Sequence, residues 1–229
     1  MPRRLQVEIE RLKKHILTLG TVVEESVRMA VRAIEKRDSA MAERVIEGDF
    51  EIDRMEVDLE EECLKILALH QPVAIDLRYI VVVLKINNDL ERIGDLAVNI
   101  AERASFLATQ PPVDIPFDFP GMSEKAQAML RKSLDALVDM DEHLAYEVTA
   151  GDDEVDAIHR EMYRLIQEGI CRSPERLECL IHLLGVSRHL ERIADHATNI
   201  SEDVIYMIEG EIVRHKTEQY KTHSEEWRK

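Results

Sequence analysis

Aromatic residues make up only 4% of this 229-residue chain, and eight glycines serve its whole length. So few glycines argue against the many tight turns of a sheet-rich fold. So few rings leave a core of Leu, Ile, Val, Met and Ala, the composition helical bundles use. No long apolar run exists: the longest, "YIVVVL" at 79–84, is far short of the ~20 residues a membrane span needs. The start, "MPRRLQVEIERLKKH", carries charge where a signal peptide needs an apolar stretch. Three cysteines, with no C-x-x-C pair, suggest a reducing compartment and no disulfide framework. Cytoplasmic residence is therefore expected, with Cys63, Cys171 and Cys179 as small buried hydrophobes. Basic residues are also short, at 30 against 46 acids, a net charge of −16. Such a surface repels nucleic acid and anionic lipid. The basic cluster Arg3, Arg4, Arg11, Lys13 and Lys14 reads as a solvated helix end.

What the chain does have is a repeat. "ERIGDLAVNIAE" at 91–102 returns as "ERIADHATNISE" at 191–202, with every acid and the Asn retained. "GDFEID" at 48–53 returns as "GDDEVD" at 151–156, and Asp38 as Asp141. The chain is thus a duplication of a unit of about 100 residues. Pro72 and Pro174 fall at equivalent points, and four more prolines crowd "QPPVDIPFDFPG" at 110–121. That stretch reads as a linker. Residues 1–109 and 122–209 are the two units, and 210–229 is a tail of mixed charge and little periodicity.

Apolar residues recur at steps of three and four, as on helices. Leu5, Ile9, Leu12, Ile16, Leu19, Val23, Val27, Ala30 and Ile34 mark a first helix over about 4–37. Asp38-Ser39 offers a cap for a second helix, about 39–70. A third, about 74–108, buries Val83, Ile86, Leu90, Ile93, Ala97, Ile100, Ala104 and Leu107. Leu183, Val186, Leu190, Ile193, Ala197, Ile200, Val204 and Met207 repeat it. The expected fold is all-α, two tandem antiparallel three-helix bundles.

At about 100° per residue, Asp95 and Asn99 fall about 40° and 80° from Glu91, while Leu90, Ile93, Ala97 and Ile100 lie at about 180–260°. The acids face away from the core, as do Glu191 and Asp195. A solvated face explains one such stripe. It does not explain why outward neighbours vary freely (Leu96 against His196, Val98 against Thr198) while the acids repeat. Register adds a second argument. Asp53 and Glu91 are each nineteen residues from Pro72, and Asp49 and Asp95 each twenty-three. Asp156 mirrors Glu191, and Asp152 mirrors Asp195, about the Ser173–Pro174 turn. Asp49, Asp53, Glu56 and Glu60 share one stripe. Two acidic rows therefore run level on neighbouring helices in each half.

Carboxylates gathered without basic residues between them repel or raise one another's pKa values. A multivalent cation removes the repulsion, and oxygen ligands suit Mg, Ca, Mn or Fe. One metal site per half is expected, from Asp49, Asp53, Glu56, Glu91 and Asp95, and from Asp152, Asp156, His159, Glu191 and Asp195. Glu56 and Glu60 become His159 and Tyr163, and the imidazole broadens the second site toward Fe, Zn or Ni. Arg92 and Arg192 are the rival, since they are placed to neutralise part of the charge. His182, His189 and His196 recur every seven residues but fall off the stripe; they read as flank or partner-facing residues, not ligands.

"LERIGDLAVNIAE" and "LERIADHATNISE", each preceded by a helix carrying "GD" and then "ID" or "VD", resemble the two signature repeats of the PhoU family. The likeness runs from about 5 to 209 and includes "DLR" at 76–78. It implies two three-helix bundles with multinuclear clusters, iron above all, on E/D-x-x-x-D motifs of the bundle surface. Here those positions are Glu91, Asp95, Glu191 and Asp195, with Asp53 and Asp156 opposite. It further implies a cytoplasmic, often homodimeric, negative regulator of phosphate uptake and phosphate-starvation signalling. The implied partners are the ATPase subunit of the phosphate ABC transporter and the phosphate-sensor histidine kinase. No catalytic activity is implied, and no nucleophile–base pair suggests one. Two other readings stay open: a metal-free helical adaptor with acidic docking faces, and a di-metal carboxylate oxidase. The oxidase would need acids facing the bundle interior and E-x-x-H on two helices; Asp156 with His159 is the nearest match.

Overall fold

The structure, a computed structural model, describes residues 3–113 and 117–210. Six α-helices follow in order: α1 (Arg3–Lys36), α2 (Ser39–His70), α3 (Ala74–Thr109), α4 (Phe119–Asp139), α5 (Glu142–Arg172) and α6 (Leu177–Glu209). A 3-10 turn over Pro174–Arg176 joins the last two. The chain is all-α, two three-helix bundles in tandem, as expected from the periodicity. Asp38 accepts a hydrogen bond from the Met41 N–H (2.9 Å) and Asp141 one from Leu144 (3.0 Å), so the repeated Asp is an N-cap in both halves. Helix α4 starts at Phe119, inside the Pro-rich stretch. Asp118 caps it, and Pro120 sits in the first turn, where its missing N–H costs nothing.

The apolar stripes form the core as expected; Leu12, Ile16, Leu19, Ile86, Leu90, Ile93 and Ile100 are fully buried. Helices α2 and α5 lie outermost. Between them α1, α3, α6 and α4 form a square in which α1 meets α3 and α4, and α6 meets α3 and α4. Helices α3 and α6 are therefore buried on more than one face. Leu96, read from sequence as outward, is buried because its side of α3 meets the other half. His182, His189 and His196 lie on that same seam: His182 stacks on Phe106 at 4.0 Å, and His196 Nδ1 lies 2.8 Å from Asp89 Oδ1. The residues they face belong to the other repeat.

Helix α4 has 21 residues against 34 in α1, so the far end of the α5–α6 hairpin extends beyond it. Cys171 lies there and is exposed, whereas Cys63 and Cys179 are buried as expected. Arg4, Arg11 and Lys14 are exposed at the start of α1, which agrees with a solvated helix end. Among the described residues no helix is long and apolar enough to cross a membrane. The tail over 211–229 lies outside the described residues.

Candidate metal centres

The α2–α3 hairpin sets the first site. Asp49 and Glu56 on α2 and Glu91 on α3 are half-buried, and Asp53 and Asp95 are exposed. The Asp49 carboxyl is pushed up to about 6, first by burial and then by the charges of Asp53 and Asp95. Glu91 is raised by burial, by Asp95 on its own helix, and by Asp53 and Glu56 across the hairpin; Arg92 opposes this. Glu56 is raised by burial and by Glu60 and Asp53. Each row thus feels the other, as the register about Pro72 requires. Gly94 brings the helices together: a Cβ there would stand 3.2 Å from Ile52 and 3.4 Å from Asp49 Oδ1.

The second hairpin repeats this with changes. Asp152, Asp156, His159 and Glu191 are half-buried and Asp195 is exposed. Burial raises Asp152 to about 6, helped by Asp195, Asp156 and Asp153. Glu191 is raised by burial, Asp156 and Asp152, and Asp195 by burial, Glu191 and Asp156; Arg192 opposes both. Arg160 approaches Asp156 at 3.5 Å, a partial neutralisation the first half lacks, since Val57 stands there.

Arg92 Nε donates to Asn88 Oδ1 at 3.3 Å, back along its own helix. Arg192 makes no ion pair with the rows among the described residues. The two arginines temper the acids without cancelling them, because Glu91 and Glu191 stay raised. Asn99, repeated with the acids, donates to the Asp95 backbone carbonyl at 2.7 Å. It serves the helix, not the acidic row.

Two residues that sequence reasoning missed support the rows from below. Asn87, fully buried, donates through Nδ2 to the Glu56 carbonyl (2.9 Å) and to Glu56 Oε1 (3.0 Å). Its signal was an amide inside an apolar stripe. Its repeat counterpart, Ser187, donates to the Leu184 carbonyl (3.0 Å) and meets His159 Nδ1 at 2.9 Å. The Ser187 proton is committed to Leu184, so His159 Nδ1 is the donor to Ser187. Burial lowers the His159 pKa, which favours the neutral ring, and with Nδ1 donating it is Nε2 that carries the lone pair. That is the tautomer a metal ligand needs.

The donor set is therefore carboxylate oxygens with one imidazole, short of counter-charge, on the hairpin surface. It is not preassembled: among the described residues no three such side chains come together closely enough to hold an ion as they stand. Exposed Asp53 and Asp95 also place the rows outside the bundle interior, where a di-metal oxidase would need them.

The sequence profile of the PhoU domain matches residues 16–104 and again 119–204, nearly the whole described chain. The chain belongs to the PhoU family. Its two matched segments are the two halves of the fold, so duplication and family coincide. A PhoU homolog of Aquifex aeolicus, described as a phosphate-specific transport system accessory protein, is 41% identical over 93% of this chain and 96% of its own length. A homolog of Pseudomonas aeruginosa is 36% identical over 93% and 88%. The crystal structure of PhoU from Pseudomonas aeruginosa superposes with a TM-score of 0.84, covering 90% of this chain and 99% of that one. The phosphate transport system regulatory protein PhoU of Streptococcus pneumoniae gives 0.83 at 29% identity, covering 91% and 99%. The chain is thus a regulatory or accessory protein of the PhoU type.

Proposed function

We propose that this PhoU protein restrains phosphate uptake and phosphate-starvation signalling as a metal-binding adaptor. On this reading it works in the cytoplasm as a homodimer, between the ATPase subunit of the phosphate ABC transporter and the phosphate-sensor histidine kinase. The observation that carries the metal part is that each row acts on the other across its hairpin: Asp49 answers to Asp95 and Glu91 to Asp53, Asp152 to Asp195 and Glu191 to Asp156. Asp49, Asp53, Glu56, Glu91 and Asp95 would hold the first cluster, and Asp152, Asp156, His159, Glu191 and Asp195 the second. A bound cation would supply the missing positive charge and pin α2 to α3 and α5 to α6. Iron suits both rows, and Mg, Mn, Zn or Ca are the alternatives. Exposed Leu69 and Val73 at the α2–α3 turn offer apolar anchors for a protein partner. No catalytic step is assigned to any residue.

The lack of a preassembled ion cage supports a second reading, a metal-free adaptor whose acidic rows dock basic partners. Chelator-treated protein separates the two. If metal matters, pull-down of the transporter ATPase subunit weakens on stripping and returns on adding iron. If binding ignores metal but fails in Glu91→Gln/Asp95→Asn, the acidic docking face is the better account.

A further inference from the structure

Helices α3 and α6 run antiparallel along the seam between the halves. A shift of about 100 residues, the repeat length, exchanges the two ends of that seam. At one end Lys85 Nζ bonds Asp203 Oδ1 at 2.9 Å and lies 5.3 Å from the Tyr206 ring. Next to it, Asp89 meets His196 at 2.8 Å. At the other end the repeat puts Gly185 for Lys85, Arg103 for Asp203, His189 for Asp89 and Leu96 for His196. Both acids of the first end have become a guanidinium and an imidazole.

The second end is thus rich in donors and poor in acceptors. The Arg103 guanidinium lies against the α6 backbone where Gly185 has no side chain; a Cβ there would stand 2.5 Å from Arg103 Cζ. The buried Arg103 Nε, the His182 Nδ1 and both ring nitrogens of His189 have no hydrogen-bond partner among the described residues. His189 is only 9% exposed. Burial and then Arg103 lower both histidines, His189 to about 4, with Arg192 and Arg188 adding to it. Glu178, beside His182, opposes the lowering of that ring, and among the described residues no acid opposes it at His189. Neutral rings still keep one N–H each, and buried donors without acceptors are unfavourable. Arg103, His182 and Gly185 are half-buried, so this edge of the seam is open to solvent.

We propose that this end of the α3–α6 seam binds a small tetrahedral oxyanion, gripped by the Arg103 guanidinium and the ring N–H groups of His182 and His189. The planar guanidinium suits an ion with two oxygens to offer, and chloride cannot satisfy that fork. Phosphate and sulfate share this chemistry. The site uses none of the acidic-row residues, so it stands or falls apart from the metal reading. An anion there would tie α3 to α6, and so one repeat to the other.

The test uses the full chain stripped of metal. Histidine ring NMR and thermal unfolding are followed while inorganic phosphate, sulfate or chloride is added at matched ionic strength. Saturable shifts of the His182 and His189 ring signals by phosphate, sulfate or both, with a rise in Tm, are expected. Phosphate alone would mark a phosphate-selective site, and equal action of both a general oxyanion site. Arg103→Leu should weaken binding about tenfold or more. Gly185→Ala, whose Cβ would push the guanidinium out of its place, should weaken the response as well; it keeps the test alive if Arg103→Leu does not fold. No saturable shift in the wild type, an equal response to chloride, or an unchanged response in the variants would overturn the proposal.

Discussion

Ser187 decides which nitrogen His159 turns outward, and Asn87 decides where the Glu56 carboxylate points; each is a single contact of 2.9–3.0 Å. Ser187→Ala should free the His159 ring and lower the affinity of the second row for Zn or Ni about tenfold, by analogy with other lost supporting contacts; competition with a chromogenic chelator measures it. Asn87→Ala should destabilise the chain by ~1–3 kcal/mol in urea unfolding, because it removes both hydrogen bonds to Glu56 and leaves a void in the α2–α3 packing. Asp49 and Asp152, both raised to about 6, give the metal-stripped protein a pH signature. A raised carboxyl adds stability while protonated and loses it as pH climbs through the folded-state value. Thermal unfolding of the stripped protein should therefore show Tm falling between pH 4 and about 7 on their account. Asp49→Asn/Asp152→Asn should flatten that fall and raise Tm at the upper end. The acids were legible because they repeat. Asn87 and Ser187 were not, since one amide and one hydroxyl in an apolar stripe carry no repeat signal.

Helix boundaries were largely readable, because Asp38 and Asp141 cap their helices and Pro72 and Pro174 break the chain at equivalent points. Hairpin register followed from the same prolines, which is why Glu91 answers to Asp53 and Glu191 to Asp156. The end of α2 near residue 70 was readable, but the left-handed residues that close the helices without glycine were not. Gln71 (φ 45°) closes α2 and Met140 (φ 56°) closes α4 in the left-handed region. Non-glycine residues are strained there, so Met140→Gly should stabilise the chain by up to about 1 kcal/mol in urea unfolding. The start of α4 was read late because prolines look like linker, yet Pro120 fits a first helical turn.

Packing of one half on the other was the least legible level. Periodicity finds one apolar stripe per helix, and α3 and α6 each need a second, which buries Leu96 and His189. The Lys85–Asp203 pair couples distant residues that no local pattern links, and Asp203 is almost fully buried. Asp203→Ala should cost about 1–2 kcal/mol, below the range for a fully buried pair because Lys85 is partly exposed; equilibrium unfolding checks it. At this scale the duplication makes one molecule of two similar halves, with a cation row proposed on each outer hairpin. The most direct test of those rows is metal content after iron loading and gel filtration, with Glu91→Gln/Asp95→Asn/Glu191→Gln/Asp195→Asn as the control. The account predicts tightly held iron in the wild type and none in the control. Iron-free wild type, or equal iron in both, would contradict it.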